Sequence, residues 1–170
     1  MTELQRRFLE LRQHPETVII NYPGEDISSN PLYSKRYDIC NGVVLLAEGI
    51  AGLTHYDSLA KPESYLNRII DRMEYIRQFP NGAVVVGGDK RHFDRNLKVL
   101  GDRGIPVLNH YHDGSDDVPL LTEEVFKTLR IKKSEDNGGL KDILVVPETR
   151  EVIMYRHLRF NRPEEFISLN

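Results

Sequence analysis

Apolar residues recur along this chain with two different periods, and the changes from one to the other mark its elements. Leu4, Phe8 and Leu11 return at helical spacing among charged residues, which predicts a short amphipathic helix that Pro15 stops nearby. Residues 18–22 read as a strand. The polar stretch 23–31, with Gly24, Ser28, Ser29 and Asn30, reads as a turn-rich loop leading towards residue 40. Residues 43–47 form the longest apolar run, and 42–47 predict a buried strand. Glu48-Gly49 supplies a turn and residues 50–56 run back as a second strand, so a hairpin brings their ends together.

Helical spacing returns at Tyr65, Leu66, Ile69, Ile70, Met73 and Ile76, which predicts a helix over 62–79 with Ser58 or Lys61 near its start and Pro80-Asn81-Gly82 at its end. Residues 83–86 are a further interior strand closed by Gly87-Gly88. Phe93, Leu97 and Leu100 give a helix ending near Gly101 or Gly104, and residues 105–108 begin a strand. The segment 112–119 is acidic and turn-prone, 120–129 reads as a short helix, and 132–139 as a mobile charged loop. Residues 143–146 and 151–155 flank Pro147-Glu148-Thr149-Arg150 as a closing hairpin. Strands that come mainly as local hairpins with helices between them argue for an α+β layered domain with a mixed or antiparallel β core flanked by helices.

The length of 170 residues suits one domain with one core, expected over 1–170, with 1–15 as an additional N-terminal helix and 16–158 as the core. A balance of 23 basic and 26 acidic residues, net charge -3, favours neither nucleic acid nor an anionic membrane as partner. No apolar run approaches the roughly 20 residues of a bilayer span, so no membrane insertion is expected. The single cysteine cannot form an internal disulfide, and the first residues lack the apolar stretch of a secretory signal, so the expected location is the cytoplasm.

That cysteine, Cys40, stands just before the strand 42–47, and His55 lies near the end of the strand that folds back on it. A thiol is mostly protonated at neutral pH, and a neighbouring imidazole that accepts its proton makes it a nucleophile. Plainer roles exist for each: a small buried hydrophobe at 40, and at 55 a core histidine bonded to a carbonyl. Thr54, adjacent to His55 on a strand, should point to the opposite face. A second constellation is His110 with His112, alternate strand residues that can share a divalent metal, backed by Asp113, Asp116 and Asp117. No third ligand follows there at a recognisable spacing.

Four segments and a closing hairpin carry a resemblance: Cys40 followed by a strand; Ala51-Gly52-Leu53-Thr54-His55-Tyr56; Val86-Gly87-Gly88; Asp94-Arg95-Asn96, opening a helix that leads into Gly104-Ile105-Pro106-Val107-Leu108; and the hairpin around Pro147 to Glu151. In this order they resemble the CheD-like chemoreceptor glutamine deamidase family and, more distantly, the deamidase domains of cytotoxic necrotizing factor toxins. The resemblance implies a β-sandwich-like fold, Cys40 as nucleophile and His55 as general base. It also implies Ser34, six positions before the cysteine, as the hydroxyl that orients the imidazole.

The activity so implied is cofactor-free hydrolysis of a glutamine carboxamide on a protein substrate, releasing ammonia and leaving glutamate. The implied partners are a chemoreceptor and a chemotaxis phosphatase. Family members carry a small residue or glycine immediately before the cysteine, whereas this chain has Tyr37-Asp38-Ile39 there. Two other readings therefore stand beside the deamidase: an inactive binding module of the same fold, and a metal-dependent hydrolase at His110 and His112.

Overall fold

The computed structural model describes residues 1–37, 40–57, 59–87, 90–111, 141–157 and 164–170. Within them the chain is α+β and layered. The elements are α1 (Glu3–Arg12), β1 (Val18–Ile20), β2 (Gly24–Ser28), β3 (Leu32–Tyr37), β4 (Asn41–Leu46), β5 (Ala51–His55), α2 (Pro62–Tyr75), β6 (Gly82–Gly87), α3 (Lys90–Asp102), β7 (Val107–Tyr111), β8 (Lys141–Val146), β9 (Glu151–Arg156) and β10 (Glu165–Ser168).

The strands form two five-stranded sheets, ordered β1-β3-β8-β9-β10 and β2-β5-β4-β6-β7. Each is mixed. β1 runs parallel to β3 and β6 parallel to β7, and the other pairs are antiparallel. The sheets pack face to face through Leu32, Ile143, Val145, Val152 and Met154 of the first and Val44, Leu46, Leu53, Val84 and Val86 of the second. On the outer face of the second sheet, Val43, Leu45, Ala83 and Val85 meet Tyr65, Leu66, Ile69 and Ile70 of α2 and Phe93, Val99 and Leu100 of α3. Phe8 of α1 packs on Tyr33, Leu144 and Ile153 on the outer face of the first sheet. A strand covered on both sides needs apolar residues at successive positions, which is why β4, β6 and β8 read as continuous apolar runs.

The hairpins β4–β5 and β8–β9 pair as the sequence predicts. Three strands were not anticipated. The stretch expected to be a loop contains β2, which pairs with β5 in the register Gly24↔His55 to Ser28↔Ala51. Its sequence, Gly-Glu-Asp-Ile-Ser, has no apolar alternation because it is a half-buried edge strand held by ladder bonds to its neighbour. β3 carries the polar run Ser34-Lys35-Arg36, and β10, beyond the expected core boundary at 158, closes the edge of the first sheet against β9. Helix α2 ends at Tyr75 rather than 79, because Ile76 caps it and Arg77 takes a left-handed conformation (φ 59°). Lys61 is its N-cap; Ser58 lies outside the described residues, as do the expected elements at 112–119, 120–129 and 132–139.

Candidate active site

In β5, Ala51, Leu53 and His55 point into the layer between the sheets, and Thr54 points away. The Thr54 hydroxyl instead accepts the Val43 N–H at 3.0 Å, where regular β4–β5 pairing stops at Val44↔Leu53 before resuming as a bridge between Asn41 and Tyr56. Counting along that register puts Gly42 opposite His55 and Cys40 diagonal to it on the same face. Diagonal neighbours have Cβ atoms on the order of 7 Å apart. Cys40 is 9% exposed and belongs to the inter-sheet core together with Tyr37, whose ring lies on the imidazole.

Ser34 reaches the same layer from β3. Its hydroxyl has one proton, and Ile20 O, an acceptor only, lies 2.7 Å away and takes it. The 2.9 Å contact between Ser34 Oγ and His55 Nδ1 is then a bond that Oγ accepts, so Nδ1 carries the ring proton. The lone pair is left on Nε2, which is buried and has no hydrogen-bond partner among the described residues. Burial holds the imidazole down at a pKa of about 4, against a smaller opposing effect of the Asp142 carboxylate. At neutral pH it is therefore uncharged and able to accept a proton.

Two tyrosines enclose the ring. Tyr37 stacks on it with centroids 3.9 Å apart and planes 18° apart, and donates its hydroxyl to Thr54 O at 2.9 Å. Tyr22, half exposed, leans on it at 5.4 Å, its hydroxyl bonded to Asp57. In a regular strand, Ser34 and Tyr37 would point to opposite faces. A bulge prevents this: pairing with β8 runs through Ser34↔Ile143 and then Tyr37↔Lys141, one residue out of step, with Arg36 at φ 65°. The Arg36 N–H freed there donates to Asp142 Oδ1 at 3.0 Å. Asp142 also accepts Tyr33 OH at 2.7 Å and pairs with His157 Nε2 at 3.0 Å. Burial opposes the charge of this carboxylate, but bonds from His157, the Arg36 N–H and Tyr33 outweigh it and keep its pKa below the usual range.

Gly42 makes room for the stack. A Cβ there would stand 2.6 Å from Ile143 Cδ1 and 2.8 Å from Tyr37 Cε1. Gly42→Ala is expected to push Tyr37 off the imidazole and cost about 1–3 kcal/mol. A lower urea midpoint together with a shifted His55 ring resonance would be the signature, and an unchanged resonance would contradict this packing.

Other residues singled out in the sequence fall elsewhere. β6 ends on Gly87, at φ 69°; Gly88 lies outside the described residues. Helix α3 opens at Lys90, so Asp94-Arg95-Asn96 is not its first turn. Asn96 is buried and accepts Tyr65 OH at 2.8 Å. His110 is exposed on β7 with its ring edge-on to Phe93, whereas His112, Asp113, Asp116 and Asp117 lie outside the described residues. Among the described residues no group of three or more His, Cys, Asp or Glu side chains is arranged to hold a metal ion. No helix among them is long and apolar enough to cross a membrane.

Tyr22, Tyr37 and Asp142 belong to the site and carry no local signal in the sequence. They are assembled by pairing between segments far apart in the chain. Fold and site together define an α+β protein of two packed mixed sheets, with a serine-held neutral histidine and a cysteine in the layer between them. No protein-family model matches the chain, and no curated protein matches it significantly.

Proposed function

We propose that this chain is a cysteine-dependent amide hydrolase that deamidates glutamine side chains of a protein substrate. Cys40 is the nucleophile, His55 its base, and Ser34 the group that orients the base. The observation that carries this reading is the Ser34 hydroxyl, which commits its proton to Ile20 O and so leaves the His55 lone pair on Nε2, in the layer that holds Cys40.

The thiol proton passes to Nε2 as sulfur bonds to the carboxamide carbon. The tetrahedral adduct then expels ammonia, which takes the proton from the imidazolium and leaves a thioester. Water, deprotonated by the same neutral imidazole, adds to the thioester, and the thiolate leaves and is reprotonated. The products are a glutamate side chain and the free thiol. Tyr22 is half exposed and its ring leans on the imidazole, so the substrate carboxamide would enter past that ring. From the resemblance to CheD-like enzymes, the glutamine is placed on a helical chemoreceptor, and a chemotaxis phosphatase is the second partner.

A binding module without activity is the second reading. It draws on the burial of both Cys40 and the His55 Nε2 atom. Iodoacetamide separates the two, because this protein has one thiol. On the deamidase reading, alkylation of the native protein is fast near neutral pH, and His55→Ala slows it by roughly tenfold or more, because the neutral imidazole takes the thiol proton as sulfur attacks. Slow alkylation, the same in both proteins, sinks the deamidase in favour of the inert module.

A further inference from the structure

Tyr22 stands in the link 21–23 between β1 and β2, where each residue is exposed. Pairing of β1 with β3 stops at Ile20 and pairing of β2 with β5 begins at Gly24, so Tyr22 lies outside both ladders. Its side chain is nonetheless held at two points. The ring leans on the His55 imidazole, with centroids 5.4 Å and planes 60° apart, and the hydroxyl donates to Asp57 Oδ2. Asp57 is fixed in turn, because its other oxygen accepts the Leu59 N–H at 2.9 Å and the Ala60 N–H at 3.3 Å. Burial opposes the charge of this carboxylate, but the bonds from Tyr22 and the two N–H groups outweigh it and keep its pKa below the usual range.

Of Ser34, Tyr37 and Tyr22, which all meet the imidazole, only Tyr22 reaches the surface. The thiol is within electrostatic reach as well. The Tyr22 phenol is pushed up to about 12, by the Asp57 bond first, then by burial and the Asp57 charge, and in smaller part by charge on Cys40.

We propose that Tyr22, latched by Asp57, selects what enters the site: it admits a slender side chain with a carboxamide at its tip and holds back a peptide bond, which is flanked by chain on both sides. The inference rests on the Cys40–His55 reading and adds to it a specificity-determining residue that favours deamidation over proteolysis. A thin chain passes beside the ring. A broad one has to swing the ring away, which breaks the bond to Asp57 and the contact with the imidazole, and a hydrogen bond to a carboxylate is stronger than one between neutral groups. The exposed link 21–23, free of ladder bonds to β3 and β5, is a segment that can open locally without disturbing either sheet.

The test uses two reagents with the same reacting carbon and different bulk, iodoacetamide and its fluorescein conjugate, on the single cysteine. Each rate is divided by that of the same reagent with free cysteine. In the wild type the conjugate is expected to be disfavoured by about tenfold or more, the factor that one hydrogen bond to a charged group contributes. Tyr22→Ala should bring the two reagents level, and Tyr22→Phe, which keeps the ring and loses the bond, should fall between. The same discrimination in the wild type and Tyr22→Ala overturns the inference; if Tyr22→Ala does not fold, the same discrimination in the wild type and Tyr22→Phe does so.

The Cys–His reading is judged separately, by whether His55→Ala slows iodoacetamide. A thiol that neither reagent reaches, in the wild type or in Tyr22→Ala, overturns both. A second readout needs no reaction at Cys40. Burial holds the His55 imidazole near 4, so removal of the ring that leans on it should move the midpoint of its ring resonances up towards the ordinary value of about 6.5. A midpoint that Tyr22→Ala leaves in place means that Tyr22 does not cover the imidazole, and overturns the proposal.

Discussion

If the chain is the deamidase proposed above, His55→Ala is expected to slow glutamine deamidation by roughly 10²–10⁴-fold, the usual worth of a positioned general base. The loss should fall on kcat more than on KM, because the imidazole acts on protons that move during attack and departure rather than on the bound carboxamide. Ammonia release from a glutamine-bearing protein is the direct measurement, with Cys40→Ser as the reference for complete loss of the nucleophile.

Ser34→Ala should fall between the wild type and His55→Ala. It retains the imidazole but removes the acceptor of the Nδ1 proton, so the tautomer with its lone pair on Nε2 is no longer enforced. Deamidation by His55→Ala at the wild-type rate would remove the histidine from the mechanism, whatever its contacts.

The second large effect is on stability and depends on pH. An unfolded histidine titrates near 6.5, whereas burial keeps folded His55 near 4. Between those values the unfolded chain takes up a proton that the folded chain refuses, so acid favours unfolding. The contribution is complete above about pH 6.5, fades as the pH falls, and is gone below about 4; over the whole window it amounts to about 3 kcal/mol. Solvent screening does not reduce it much, since His55 is 2% exposed.

Urea unfolding of the wild type and of His55→Gln at about pH 7 and about pH 4 isolates this group, because the difference between the proteins cancels every other titration. The wild type should lose about 3 kcal/mol more than the variant over that range. Parallel losses would mean that His55 titrates alike in the folded and unfolded chains, so that burial does not hold its pKa down.

Cys40 and His55 were recognisable together because they flank one hairpin. Residues 42–47 and 50–56 pair locally through the turn at Glu48-Gly49, and a local turn sets register without help from the rest of the chain. Ser34 was reached through its resemblance to a family position, not through any periodicity, for the strand that carries it had not been recognised. The edge strands β2 and β10 escaped for a related reason. With intermediate or exposed residues throughout, they owe their conformation to the neighbour they pair with.

By itself, the sequence determined the α+β class, the two hairpins, the helices α2 and α3 and the position of Cys40 and His55 at the open end of one hairpin, all of which follow from apolar periodicity and turn chemistry within short segments. Only the tertiary structure decided what surrounds that pair. Tyr37 turns onto the imidazole because of a bulge that Asp142 holds from more than a hundred residues away, Gly42 leaves the space the tyrosine fills, and Lys141 reaches from the first sheet to Gly87 of the second. A bulge and a contact between sheets depend on which distant strands pair and in what register, and such choices leave no periodic mark on either segment.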